Sequence, residues 1–212
     1  MVEFFNKKSE FEALSFGKPV KGNDGRYFVA CYFSKENEPA DEVICQFSKQ
    51  ITNTSKIVVD GGTELLIADE DTIEFIKECD EKLLELCKQN KALWFPGKEI
   101  SDTYVEQAFM ESLKEVKKHK NKAFLKSRTS KDFVMFNSSK DIIDVVDLKE
   151  QSKLAIIIQL AGLWFSSSRF GITWKLRQGK LLETEKVNKF EKSLFIDEEE
   201  EEEADMNVFP DE

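Results

Sequence analysis

Histidine is almost missing from this sequence: a single residue, His119, stands among 212. It sits inside Lys117-Lys118-His119-Lys120, which reads as a solvated helix end rather than a general base. Glycine is scarce too, at nine, and neither a Gly-Lys-Ser/Thr phosphate loop nor a dinucleotide glycine pattern occurs. The four cysteines, Cys31, Cys45, Cys79 and Cys87, have no Cys-x-x-Cys spacing, and two fall on the apolar side of a helical stretch. They read as reduced core residues, not zinc ligands. Asp141, Asp144 and Asp147 recur at three-residue steps, the pattern of a solvated face, with no supporting motif for a metal. A non-enzymatic chain without cofactor or metal is expected. The longest apolar stretch, Leu154 to Phe165, is broken by Gln159 and Gly162 and falls short of the roughly 18 to 20 residues of a membrane span. The N-terminus carries its apolar residues ahead of its charges, unlike a secretory signal. No membrane contact and an intracellular location are therefore expected.

What the sequence does have is unevenly placed charge. Its 41 acidic and 31 basic residues give a net charge of -10, yet ten of the acids lie in Asp197 to Glu212, which holds no base. Residues 1 to 116 carry 23 acidic against 14 basic side chains, whereas Lys117 to Lys131 carries seven basic and none acidic. The chain runs from an acidic front through a basic back to an acidic tail, a polarity suited to a polyanionic partner and a competing internal anion. The run Asp197 to Glu203 repels itself and has nothing apolar to offset ordering entropy, so a disordered tail is expected over 197–212. Its end carries a small apolar hook, Met206-Asn207-Val208-Phe209-Pro210.

Hydrophobic residues make up 41% of the chain, with 18 phenylalanines, enough for a real core. One folded domain over 1–196 followed by the tail is the economical division. Gly25 to Ser34, Val43 to Phe47, Lys56 to Val59 and Thr63 to Ala68 are rich in aromatic and β-branched residues and predict strands. Asp60-Gly61-Gly62 is a hairpin-turn signal between the last two. Ile73, Ile76, Cys79, Leu83, Leu86 and Cys87 then recur at helical spacing behind a capping box of Asp71 and Glu74, predicting a helix over 71–91. A second helix is predicted over 103–118, so the helical insertion spans 71–118. Strands return at Ala123 to Leu125, Phe133 to Phe136 and Ile142 to Val146. The strongest signal comes last: Leu154 to Phe165 and Phe170 to Leu182 flank Ser166-Ser167-Ser168-Arg169 as a long hairpin. Phe170, Ile172, Trp174 and Leu176 share one face of it, and Thr173, Lys175 and Arg177 the other. The expected class is α+β or mainly β, a barrel with a two-helix insertion.

The candidate site joins cations to flat rings. Lys122, Lys126, Arg128 and Lys131, with Arg169, Lys175 and Arg177 of the hairpin, can neutralise phosphates, while Phe165, Phe170 and Trp174 offer faces for bases. Trp174 shares its face with Ile172 and Leu176, so a buried cross-strand role competes there. Phe165 and Phe170, beside the hairpin loop, are the better stacking candidates. In the tail, Asp197, Glu203, Val208 and Phe209 mark a segment able to dock on a protein partner.

The closing hairpin, Leu154-Ala155-Ile156-Ile157-Ile158-Gln159-Leu160-Ala161-Gly162-Leu163-Trp164-Phe165 and Phe170-Gly171-Ile172-Thr173-Trp174-Lys175-Leu176, resembles that of proteins encoded by nucleocytoplasmic large DNA viruses. Trp94-Phe95-Pro96-Gly97-Lys98 is similar to a Trp-Phe-Gly-Lys turn that precedes a helix in the same group. The resemblance covers about residues 70 to 182. It implies a single-stranded DNA-binding protein of viral replication, recombination or repair, built on an OB-like antiparallel barrel with a two-helix insertion and placed in host cytoplasm or nucleus. The tail is similar to the C-terminal arms of phage and bacterial single-strand binders, which implies recruitment of replication or repair proteins. Those arms end in an aromatic residue or Pro-Phe, whereas here Phe209-Pro210 is followed by Asp211-Glu212. Homo-oligomerisation is compatible with the chain. The alternative reading is an interaction or packaging protein whose acidic arm shields basic partners.

Overall fold

A computed structural model describes residues 13–23, 25–33, 41–53, 57–95, 99–116, 119–148 and 152–182. The expected disordered tail, with Asp197, Glu203, Val208 and Phe209, lies outside the described residues. In chain order the strands are β1 (Leu14–Phe16), β2 (Val20–Lys21), β3 (Tyr27–Phe33), β4 (Asp41–Asn53) and β5 (Gly62–Ile67). Helices α1 (Glu70–Gln89), α2 (Lys91–Trp94) and α3 (Asp102–Ala108) follow. Then come β6 (Phe109–Met110), β7 (Leu113–Val116), β8 (His119–Phe136), β9 (Ile142–Ile143), β10 (Lys153–Phe165) and β11 (Phe170–Leu181). No described helix is long and apolar enough to cross a membrane.

Five of these strands pair in a ring. β4 pairs with β5, β5 with β8, β8 with β11, β11 with β10, and β10 returns to β4. The sheet is mixed rather than purely antiparallel, because β11 lies parallel to both β8 and β6. The chain from β8 must therefore travel to the far end of the sheet before β11 can run beside it, and β10 supplies that return. Strand β3 joins outside the ring, carrying β1 and β2, and pairs with the second half of β10. The switch falls at Gly162, where β10 leaves β4 and takes up β3. Gly162 has φ +143°, and a Cβ there would stand 2.0 Å from the Val29 carbonyl oxygen, so only glycine lets the two backbones approach this closely.

Inward side chains of the ring form one core with the helical layer. Leu154, Ile156, Ile158 and Leu160 of β10 alternate with less buried neighbours, as do Val43, Cys45 and Phe47 of β4. Helix α1 begins at Asp69, whose carboxylate accepts from the Thr72 amide at 3.0 Å and the Thr72 hydroxyl at 2.6 Å. It buries Ile76, Cys79, Leu83 and Cys87 and sets Phe75 edge-on to Phe47 of β4, with ring centroids 6.0 Å apart. Full burial of each large apolar side chain contributes about 1.5 to 3 kcal/mol.

Several expectations change. The cap of α1 is Asp69, two residues ahead of the Asp71 capping box. The second helix stops at Ala108, because Phe109 and Leu113 are taken up by sheet edges, pairing with Phe170 and Leu125. Edge pairing overrides the helical period there. Residues 57–60 are coil and turn rather than strand, with Ile57 buried and Asp60 at φ 58°. His119 lies in strand β8 rather than at a helix end. The predicted strands at Ala123 and Phe133 are one 18-residue strand, β8.

Candidate functional site

Strand β8 builds the site through its period of two. Ala123, Leu125, Ser127 and Thr129 are buried, whereas Lys122 and Phe124 are half-buried and Lys126 and Arg128 exposed. The hydroxyls of Thr63 in β5 and Thr129 lie 2.7 Å apart, and the Ser127 hydroxyl donates to the Thr63 carbonyl at 3.4 Å. The outward set is thus a cationic stripe with one ring in its middle. Neighbouring strands extend it, since Arg128 stands in register with Lys175 of β11 and Phe124 with Leu66 of β5 and Lys114 of β7. Successive outward side chains on a strand stand roughly 6.5 to 7 Å apart, an interval comparable to that between phosphates of a stretched single strand. Among the described residues neither Arg128 nor Lys175 has a carboxylate within ion-pair distance.

The other expected cations are placed differently. Lys131 falls where β8 and β11 lose register, and its ammonium lies 3.7 Å from Asp60. Arg177 sits between Glu42 at 3.4 Å and Asp132 at 3.3 Å, so two carboxylates offset its charge. Arg169 is exposed at the tip of the β10–β11 hairpin. Beyond the irregular segment, Phe136 and the lysines Lys140 and Lys180 border a cleft of about 300 Å³ over Ala155 and Ile157.

The expected stacking rings are a correction. Phe165, Phe170 and Trp174 are all buried, Phe170 and Trp174 at 1% exposure. Phe165 and Phe170 stack on each other at 5.4 Å with an interplanar angle of 12°, and Phe95 meets both edge-on at 5.1 and 5.6 Å. The hairpin's inward face claims these positions, because a short loop between two long strands keeps its flanking residues in the pleat alternation. The ring that the site does offer is Phe124. Its signal in the sequence is the alternation Lys122-Ala123-Phe124-Leu125-Lys126-Ser127-Arg128, of which only Ala123 to Leu125 reads as strand.

Burial pushes the Cys31 thiol up to about 12 and those of Cys79 and Cys87 well up, which withholds the thiolate that metals and electrophiles require. Asp141 and Asn137 bond each other across a turn, and Asp144 caps the short turn Val145–Asp147. No group of three or more His, Cys, Asp or Glu side chains that could hold a metal occurs among the described residues.

The chain belongs to a family of unknown function, DUF5871, whose model matches residues 54–197. A search of curated proteins finds none with a matching sequence. Solved structures similar to this chain include a C-terminal truncation of the single-stranded DNA-binding protein from bacteriophage Enc34, at TM-score 0.44 and 12% identity, covering 82% of this chain and 95% of that one. The same phage protein in complex with ssDNA scores 0.40 at 12% identity, covering 82% and 97%. The single-stranded DNA-binding protein gp2.5 encoded by bacteriophage T7 scores 0.39 at 13% identity, covering 71% and 98%. Scores this low do not establish a common fold.

Proposed function

We propose that the chain binds single-stranded DNA, without sequence preference and without catalysis, along the outward face of β8 and β11. The observation that carries this reading is the stripe itself: Lys122, Phe124, Lys126 and Arg128 alternate outward on one strand, and Lys175 stands beside Arg128 on the next. Cations track a phosphate backbone whatever its sequence, and an aromatic face accepts any base. Strand order supports the same reading. Counted in chain order, the ring strands β4, β5, β8, β10 and β11 neighbour one another as 1-2-3-5-4-1, with the third and fifth parallel. We take that order in support of an OB arrangement, in which the second and third strands form the oligonucleotide face; here they are β5 and β8, and β8 carries the stripe.

The wider role belongs to the same proposal. Action in viral DNA replication, recombination or repair, in host cytoplasm or nucleus, rests on the resemblance of the closing hairpin. Recruitment of partners through Asp197 to Glu212 rests on that segment's charge and apolar hook.

Titration of the full chain with a fluorescent oligothymidine over a range of salt tests the reading. If about five phosphates are neutralised, log affinity falls against log salt with a slope near -3.5. Joint replacement of Arg128 and Lys175 by alanine brings the slope to about -2. Phe124→Ala leaves the slope alone and weakens binding by roughly 1 to 3 kcal/mol. An unchanged slope in the double variant overturns the proposal.

A further inference from the structure

A second recess lies where the β10–β11 hairpin tip meets α3, with a volume of about 260 Å³. Its floor is the Phe165–Phe170 pair, rigidly held by stacking on one another and by the edge of Phe95. Its rim is of a different character. Tyr27 of β3 and Tyr104 of α3 are each 40% exposed, and Ser167 and Arg169 of the hairpin loop are exposed. Arg169 is the cation that lines the recess, and the Lys21 ammonium stands 6.0 Å from the centroid of the Tyr27 ring. The loop is held in shape without them, since the Ser166 hydroxyl donates to the Arg169 carbonyl at 2.8 Å and accepts from the Arg169 amide at 3.2 Å.

We infer that this recess receives one unstacked nucleobase of the strand bound along the stripe, and that it provides the chain's discrimination of single-stranded from double-stranded DNA. The inference rests on the proposed function and deepens it. Three features select a base. The volume lies just under the 300 to 1,000 Å³ typical of sites for drug-sized ligands, which suits a single flat heterocycle better than a folded peptide segment. The phenol rings of Tyr27 and Tyr104 at the rim supply faces and edges for a π system above an apolar floor. Serine hydroxyls donate or accept as needed, so a base edge is satisfied without its identity being read.

Position supplies the link to the stripe. Strand β11 leads from Phe170 at the recess to Lys175 beside Arg128, about 17 Å of extended chain. A strand leaving the stripe along β11 arrives at the recess within a few nucleotides. A base held in a duplex cannot enter, because it is covered on both faces and paired along its edge. The cations of the stripe accept either form of DNA, so discrimination rests on the places that take an unstacked base, Phe124 and above all the recess. Neither rim tyrosine stands on a ring strand; one comes from the outer strand β3 and the other from the helical insertion.

The test measures affinity for oligothymidine and for a duplex of equal length, in the full chain and in Tyr27→Ala, Tyr104→Ala and Arg169→Ala. Ultraviolet crosslinking to a 5-iodouracil oligonucleotide, mapped by mass spectrometry, accompanies it. Crosslinks at Tyr27 or Tyr104, with a tenfold or greater fall in the single-to-double-strand affinity ratio for the tyrosine variants, are the expected result. Salt slopes stay unchanged in those two variants. Single-strand binding that persists with an unaltered ratio, or crosslinks confined to Phe124, overturns the recess and leaves the stripe standing. Failure of the unaltered chain to bind single strands overturns both. Leu93→Ala, an exposed position on α2, is the control expected to change neither quantity.

Discussion

The indole nitrogen of Trp174 lies 2.8 Å from the Ser112 hydroxyl, to which it donates. Ser112 in turn donates its hydroxyl to Asp80 of α1 at 2.6 Å and its amide to the other carboxyl oxygen at 2.8 Å. A buried polar chain thus ties the ring to the helical layer, with every link satisfied. Burial pushes the Asp80 carboxyl up to about 6 from 3.8, against the two Ser112 bonds that pull it down. Because the folded value is raised, the folded chain retains a proton that the unfolded chain releases. This group's contribution is therefore greatest below pH 4 and declines as pH rises to about 6, by on the order of 2 to 3 kcal/mol. In Asp80→Asn, denaturant midpoints measured from pH 4 to 6 are expected to lose that downward component. An identical pH slope in both proteins would show that Asp80 titrates normally.

Replacing Gly162 should be among the most damaging single changes. Gly162→Ala places a methyl 2.0 Å from a backbone oxygen at φ +143°, so β3 must part from β10. A loss of about 3 kcal/mol or more is expected in chemical unfolding. Gly62→Ala, where nothing lies within 4 Å of the added carbon, should cost less than about 1 kcal/mol. Equal costs at the two positions would mean that the strand switch is not constrained.

Removing Asp197 to Glu212 takes away ten negative charges and no positive ones. If that segment competes for the Arg128 and Lys175 stripe, the shortened chain binds oligothymidine more tightly at low salt, and the difference shrinks as salt screens both. Equal affinities at low salt would assign the segment to partners alone.

Much of the architecture was legible because it repeats over many residues. The closing hairpin announced itself through long β-branched runs, and the inward row Phe170, Ile172, Trp174 and Leu176 is buried as the period of two required. Helix α1 was equally plain from its apolar spacing. What could not be read was decided by distant partners. Whether residues 109–116 continue a helix depends on vacancies beside Phe170 and Leu125, more than ten and up to about sixty residues away in sequence. The site was half legible for a related reason. Charge marks a cation as solvent-facing wherever it falls, so Lys126 and Arg128 were found. An aromatic residue serves core and surface alike, and only strand register separates buried Phe165 and Phe170 from half-exposed Phe124.

The return of β10 to β4 has a consequence for how the chain matures on the ribosome. Those two partners are separated by roughly a hundred residues of sequence, and β10 with β11 emerges last, so β4 waits with one flank open through most of synthesis. Until then β4 is a template for a stray neighbour, another nascent copy included. Slowing translation across residues 54–150 would lengthen that vulnerable interval, while pre-forming the terminal hairpin would shorten it.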